Sequence, residues 1–136
     1  MKDYQIEVQK KWTHTALTTM EEGERYAKKL LNAKELPDGI LFSGDFAARS
    51  AMEVFKAAGI RIPQDIAIVG FVNEDWDTLL NPPLSSIEQF SFRTGETAAK
   101  MIIEAIEGMP QKDIIYKPEL IIRESSLKKD FITLKK

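Results

Sequence analysis

An α/β domain with a mainly parallel sheet flanked by helices is the fold class the sequence predicts, and three observations predict it. Two continuous apolar runs, GILF at 39–42 and IAIVGF at 66–71, have the composition of parallel strands covered on both faces. Helical patterns with an apolar stripe stand before, between and after them. Proline- and glycine-bearing turns separate strand from helix, as βαβ units require.

The elements follow in order. Residues 12–18, WTHTALT, carry enough β-branched and aromatic side chains for a strand. TTMEEGERYAKKLLNAK then starts a helix. Thr18 with Glu21, and Thr19 with Glu22, both fit a capping box, in which hydroxyl and carboxylate satisfy backbone N–H groups left over at a helix start. Gly23, Tyr26, Ala27, Leu30 and Leu31 make its i, i+3, i+4, i+7, i+8 stripe. Pro37 and Gly39 end this helix and aim the strand GILFSG (39–44).

DFAARSAMEVFKAAG (45–59) is the next helix, with Asp45 placed to cap it. Ala48, Ala51, Met52 and Phe55 lie along one face, and Gly59 suits the position just past the helix end. IRIPQD turns the chain into IAIVGF, and a short helical turn around Asp75–Leu80 stops at NPP. LSSIEQ (84–89) is a third strand. SFRTGETAAKMIIEAIEG (91–108) is a helix expected to turn Phe92, Gly95, Ala99, Ile102 and Ile106 inward. IIYKPELIIRE (114–124) is a last extended segment, broken by Pro118, before a basic tail, LKKDFITLKK (127–136).

Bulk properties bound the function. The 136 residues suit one domain or a large part of one. With 19 basic against 21 acidic residues, net charge −2, the chain has no broad electrostatic grip on nucleic acid of its own. It has no cysteine, which suits a reducing cytoplasm and leaves no thiolate chemistry. No apolar run approaches the roughly 20 residues of a membrane span, so no membrane partner is expected.

No catalytic constellation is present. His14 is the sole histidine, so a seryl nucleophile has no other candidate base, and a metal site has no second histidine or any cysteine. FSGDFA lacks the G-x-S-x-G order of a nucleophile elbow, and no phosphate-cradling glycine motif occurs. The chain is read as a non-enzyme without metal or cofactor. His14 is expected to pack or to face solvent.

What stands out is where polar residues fall. Ligands of doubly wound sheets bind beyond the carboxyl ends of the strands. Thr18 and Thr19 follow the first strand, Ser43, Gly44 and Asp45 the second, and Gly70, Phe71 and Asn73 the third. Asp45 and Asn73 are acceptors for ligand hydroxyls, and Phe46 or Phe71 a surface for a ring; equally, Asp45 and Asn73 fit helix caps and turns. Trp76, Leu79 and Leu80 belong to a segment too short to own a core. They pack either on their own sheet or against a second subunit.

The order of these motifs resembles the effector domain of LacI/GalR transcription regulators. LPDGILFSGDFAARSAMEVFKAAGIRIPQDIAIVGFVNE matches that family's turn–strand–helix–turn–strand series. PPLSSIEQ (82–89) and Arg123, Ser125 and Ser126 match its later elements, so the resemblance spans roughly 16–126. It implies part of a two-lobed, periplasmic-binding-protein-like type I fold that closes on a small effector, sugar-like or nucleoside-like. It also implies a homodimer, and operator DNA bound through a headpiece outside this chain. Carried over by motif, Thr18, Gly44, Val72 and Gln89 face the ligand, with Asp45, Phe46 and Asn73 on or beside that wall. Ala48 and Ala51, with Trp76, Leu79 and Leu80, face the dimer partner.

Two departures are specific. Gly44 stands where the family has asparagine, and Val72 where it has its first carboxylate. The resemblance divides the chain into a lead-in (1–15), a partial effector-binding domain comprising one lobe and a crossover helix (16–126), and the basic tail (127–136). The sequence is expected to be a domain excerpt, in which the apolar face of 92–106 wants a partner; a complete, compact chain is the other reading. A transporter's sugar-capture protein shares the implied fold and is the alternative function.

Overall fold

The computed structural model describes residues 10–128, so the ends of the lead-in and of the basic tail lie outside the described residues. Seven regular elements follow one another: α1 (Met20–Leu31), β1 (Gly39–Leu41), α2 (Asp45–Ala57), β2 (Ala67–Val72), β3 (Ser85–Glu88), α3 (Ser91–Ile106) and β4 (Glu119–Ile121). Short 3-10 turns occupy Lys10–Trp12 and Asp75–Leu79. The sheet order is β1-β2-β3-β4. β1 and β3 both run parallel to β2, and β4 returns antiparallel to β3, so the expected mainly parallel α/β sheet is found.

Local chemistry explains the helix ends. Of the two possible capping hydroxyls, Thr19 is used, its Oγ1 accepting from the Glu22 amide at 3.4 Å. α2 ends on Gly59, whose φ of +78° costs little without a β-carbon. There Gly59 N donates to Lys56 O and Ile60 N to Phe55 O, the double closure that satisfies the last carbonyls of a helix.

The core lies between α1, α2 and one face of the sheet. Ala27 and Leu30 of α1 meet Ala48, Ala51, Met52 and Phe55 of α2 over Ile66, Ile68 and Leu84. Gly23 permits this close helix pair, because a β-carbon there would run into the Ala47 carbonyl and Ser50 Oγ. Ser50 in turn donates to Met20 O at 2.6 Å, tying the start of α1 to α2.

Four expectations are corrected. Residues 13–18 form no strand: among the described residues nothing pairs with them, and a β-branched pattern without a partner ladder makes no strand. The strands are not covered on both faces throughout: β1 is largely exposed, Leu41 to 63%, and Val69 and Phe71 of β2 are only half-buried beside the buried Ile68 and Gly70. α3 turns nothing inward: Phe92 is 82% exposed and Ile106 80%, with Gly95, Ala99 and Ile102 also exposed. It is held mainly at its start, where Thr97 Oγ1 and Tyr116 Oη lie 2.7 Å apart and Arg93 lies over the Tyr116 ring. Ala48 and Ala51 are fully buried within the chain's own core, so they cannot meet a second subunit.

Candidate functional site

The end of β2, the first half of β3 and the start of α2 converge on Asp45. The expectation that Asp45 caps α2 is not met: Gly44 holds the cap position and Asp45 is the first helical residue. Its carboxylate reaches across to the end of β2 instead. Oδ1 accepts from Phe71 N at 2.7 Å, and Oδ2 from Asn73 N at 2.7 Å and Glu74 N at 3.2 Å. Ser86 Oγ of β3 lies within 3.0 Å of both oxygens. Gly70 leaves the room for this, since a β-carbon there would collide with the carboxylate. Asp45 is buried and fully engaged, so it holds the site's frame and is no ligand acceptor.

Asn73 sits at φ 64°, a left-handed conformation that asparagine tolerates better than most residues. Both ends of its amide are occupied. Oδ1 accepts from Arg123 Nη2 at 2.7 Å, and Nδ2 donates to Glu88 Oε2 at 2.8 Å. Arg123 also donates through Nη1 to Leu84 O at 2.6 Å. The Glu88 carboxylate takes a second bond from Phe90 N. These donations, Asn73's first, hold Glu88 below the usual carboxylate pKa.

Beneath this layer lies Asp77, fully buried, with neither carboxylate oxygen hydrogen-bonded among the described residues. Arg123 Nη1 stands 3.8 Å from it. Burial first, then the neighbouring Asp45 charge, push its pKa up to about 7, against the pull of Arg123.

The remaining expected ligand residues are spread out. The side chain of Thr18 sits directly over Gly44 and lines a 410 Å³ cavity with Trp12, His14, Tyr26, Leu41 and Ser43. That cavity lies beside β1 and the start of α1, and Phe46, Val72, Asn73 and Gln89 are not in its wall. Val72 ends β2 half-buried, and Gln89 is half-buried just past β3. Phe46 is exposed and packs on Trp76, ring centroids 5.2 Å apart. His14 stacks on Tyr26 at 4.5 Å, as a packing residue would.

Sequence reasoning missed Ser86, Glu88, Arg123 and Asp77 as parts of one network. Ser86 and Glu88 lay inside the motif match PPLSSIEQ without being singled out, and Arg123 was named for its motif match alone. Asp77 gave no signal at all. Among the described residues no group of three or more His, Cys, Asp or Glu side chains is arranged to hold a metal, and no helix is long and apolar enough to cross a membrane.

With this geometry in view, likeness to known proteins is informative. A family model described as periplasmic binding protein-like domain matches residues 1–126. The HTH-type transcriptional repressor PurR of Photobacterium profundum is 30% identical over 122 residues, covering 88% of this chain and 36% of that protein. The repressor of the same name from Haemophilus influenzae is 30% identical over 130 residues, covering 92% and 39%. A regulatory protein of LacI family from Chloroflexus aggregans superposes with TM-score 0.84 at 31% identity, over 93% of this chain and 46% of that one. The chain therefore spans well under half the length of the curated relatives it matches.

Proposed function

The chain belongs to the periplasmic binding protein-like domain family, in its LacI/GalR type, and from that premise we propose that it is the effector-binding and dimerising portion of a bacterial transcription regulator. The observation that carries the reading is the convergence on Asp45. One buried carboxylate ties the start of α2 to the end of β2 and to Ser86 near the start of β3, so a ligand seated beyond the strand ends acts on all three elements together. The names of the relatives, repressors and LacI-type regulators, support a regulator over a transporter's capture protein.

The effector is a small sugar-like or nucleoside-like molecule, bound outside the strand ends near Thr18, Gly44, Phe46, Val72, Asn73 and Gln89. Operator DNA is engaged through a headpiece outside this chain, in the cytoplasm. The effector shifts a population between DNA-competent and incompetent arrangements, and its leverage equals its differential affinity for the two. The subunit contact uses Trp76, Leu79 and Leu80. Leu79 is 83% exposed beside the Phe46–Trp76 pair, whereas Leu80 is half-buried against the core.

The test is an electrophoretic shift of operator DNA by the regulator that carries this segment, with and without sugars and nucleosides that stabilise the chain in a thermal-shift screen. A compound that raises the melting temperature and changes the shift supports the reading. Stabilisers that leave DNA binding unchanged would sink it.

A further inference from the structure

The structure assigns to Glu88 the ligand-facing negative charge of this site, and with it an effector that presents N–H or O–H donors and carries no phosphate or carboxylate. The inference rests on the effector-site reading above and narrows its ligand class.

Four side chains meet where β2 and β3 approach the start of α2. Asp45 is buried with its oxygens engaged by three amides and a hydroxyl. Asn73 is uncharged, and its amide is oriented by Arg123 and Glu88. Val72 offers only methyl groups. Glu88 is half-buried, the register partner of Val72, and therefore presents its side chain beside Val72 on the face that carries Ser86 and Asp45. A carboxylate thus stands one strand over from the apolar Val72.

A carboxylate has about four lone-pair sites, and Glu88 uses one on each oxygen, for Asn73 Nδ2 and Phe90 N. Acceptor capacity remains on a group whose orientation is already fixed from both sides. Such a group binds a donor without first losing rotamer freedom. The surrounding charge is acidic as well: Asp45 and Glu74 share the region with one guanidinium, Arg123. That guanidinium is committed to Asn73 and to the Leu84 carbonyl, and faces Asp77. A phosphate or carboxylate placed here would meet like charge, while an amine or a pair of hydroxyls would meet a charged acceptor.

The experiment is calorimetric titration of the chain with glucose, glucosamine and glucose 6-phosphate, and with adenosine and AMP, repeated on Glu88→Gln. Glucosamine or an uncharged parent should bind, its phosphorylated counterpart about tenfold or more weakly, and E88Q should weaken the amine or parent by a similar factor. A phosphorylated probe binding better than its parent overturns the assignment and leaves the site reading standing. So does a parent that binds E88Q as tightly as the native chain. If the native chain binds none of the five, the site reading falls and the assignment with it. The phosphate comparison uses the native protein alone, so it decides even if E88Q does not fold.

Discussion

Asp45 at the start of α2 accepts a 2.7 Å hydrogen bond from the Asn73 amide at the end of β2, across 28 residues of sequence. The contact lets Asn73 keep its left-handed backbone, because the amide that such a turn exposes is met by a carboxylate rather than left unsatisfied in a partly buried place.

Replacing Asp45 with alanine should therefore cost about 3 kcal/mol or more, since the amides of Phe71, Asn73 and Glu74 and the hydroxyl of Ser86 lose their acceptor at once. Asp45→Asn, which keeps one acceptor oxygen, should fall between. Urea unfolding measures both, and an unchanged midpoint for D45A would contradict the network.

Asp77 predicts a pH dependence of unusual sign. Its pKa in the folded chain, about 7, lies above the ordinary 3.8, so the folded state holds this proton more tightly than the unfolded state. This group's contribution to stability is fully present below about pH 4 and is lost as pH rises through about 7. Asp77→Asn should flatten that slope and make the chain more stable than the native sequence at pH 8. Thermal melts at pH 5 and pH 8 on both proteins test it; parallel curves would refute it.

At Gly23 two effects compete. Alanine is favoured over glycine within a helix by about 1 kcal/mol. Its β-carbon, however, would be driven into the Ala47 carbonyl, and overpacking costs about 1–3 kcal/mol. The steric effect should win because the obstacle is backbone, so Gly23→Ala lowers the urea midpoint and Gly23→Val lowers it further.

Leu79 separates the two roles proposed for its segment. It is almost wholly exposed, so Leu79→Asp should leave the melting temperature nearly unchanged while reducing dimer mass at micromolar concentration in light scattering. Trp76→Asp should weaken both, because Trp76 also packs on Phe46 and under Arg49. Native mass in L79D would remove Leu79 from the interface.

The outward face of α3, with Ile102, Ile103 and Ile106 exposed, is apolar enough to bind a hydrophobic dye. Ile102→Glu with Ile106→Glu should lower that dye's fluorescence while changing stability by less than about 1 kcal/mol, because neither residue is packed. A large loss of stability would show that this face is covered in solution.

Much of the fold was legible in the sequence because local rules wrote it. The stripe Gly23–Leu31, the Thr19 cap, the Gly59 stop and the apolar run of β2 each depend on neighbours a few residues away, and each is found where those rules place it. The strand at 12–18 was misread for the opposite reason. A strand exists only by pairing, and nothing within WTHTALT reports whether a partner strand lies beside it among the described residues. α3 was misread likewise: its apolar stripe fixes which face wants burial, not whether anything lies opposite. At the candidate site, the sequence determined that polar groups gather at the strand ends. Only the tertiary structure decided which of them are spent, burying Asp45 among backbone amides, locking Asn73 between Arg123 and Glu88, and leaving Glu88 with acceptor capacity. Those partners lie 13–50 residues apart, and hydrogen-bond satisfaction at such separations is a property of the folded arrangement alone.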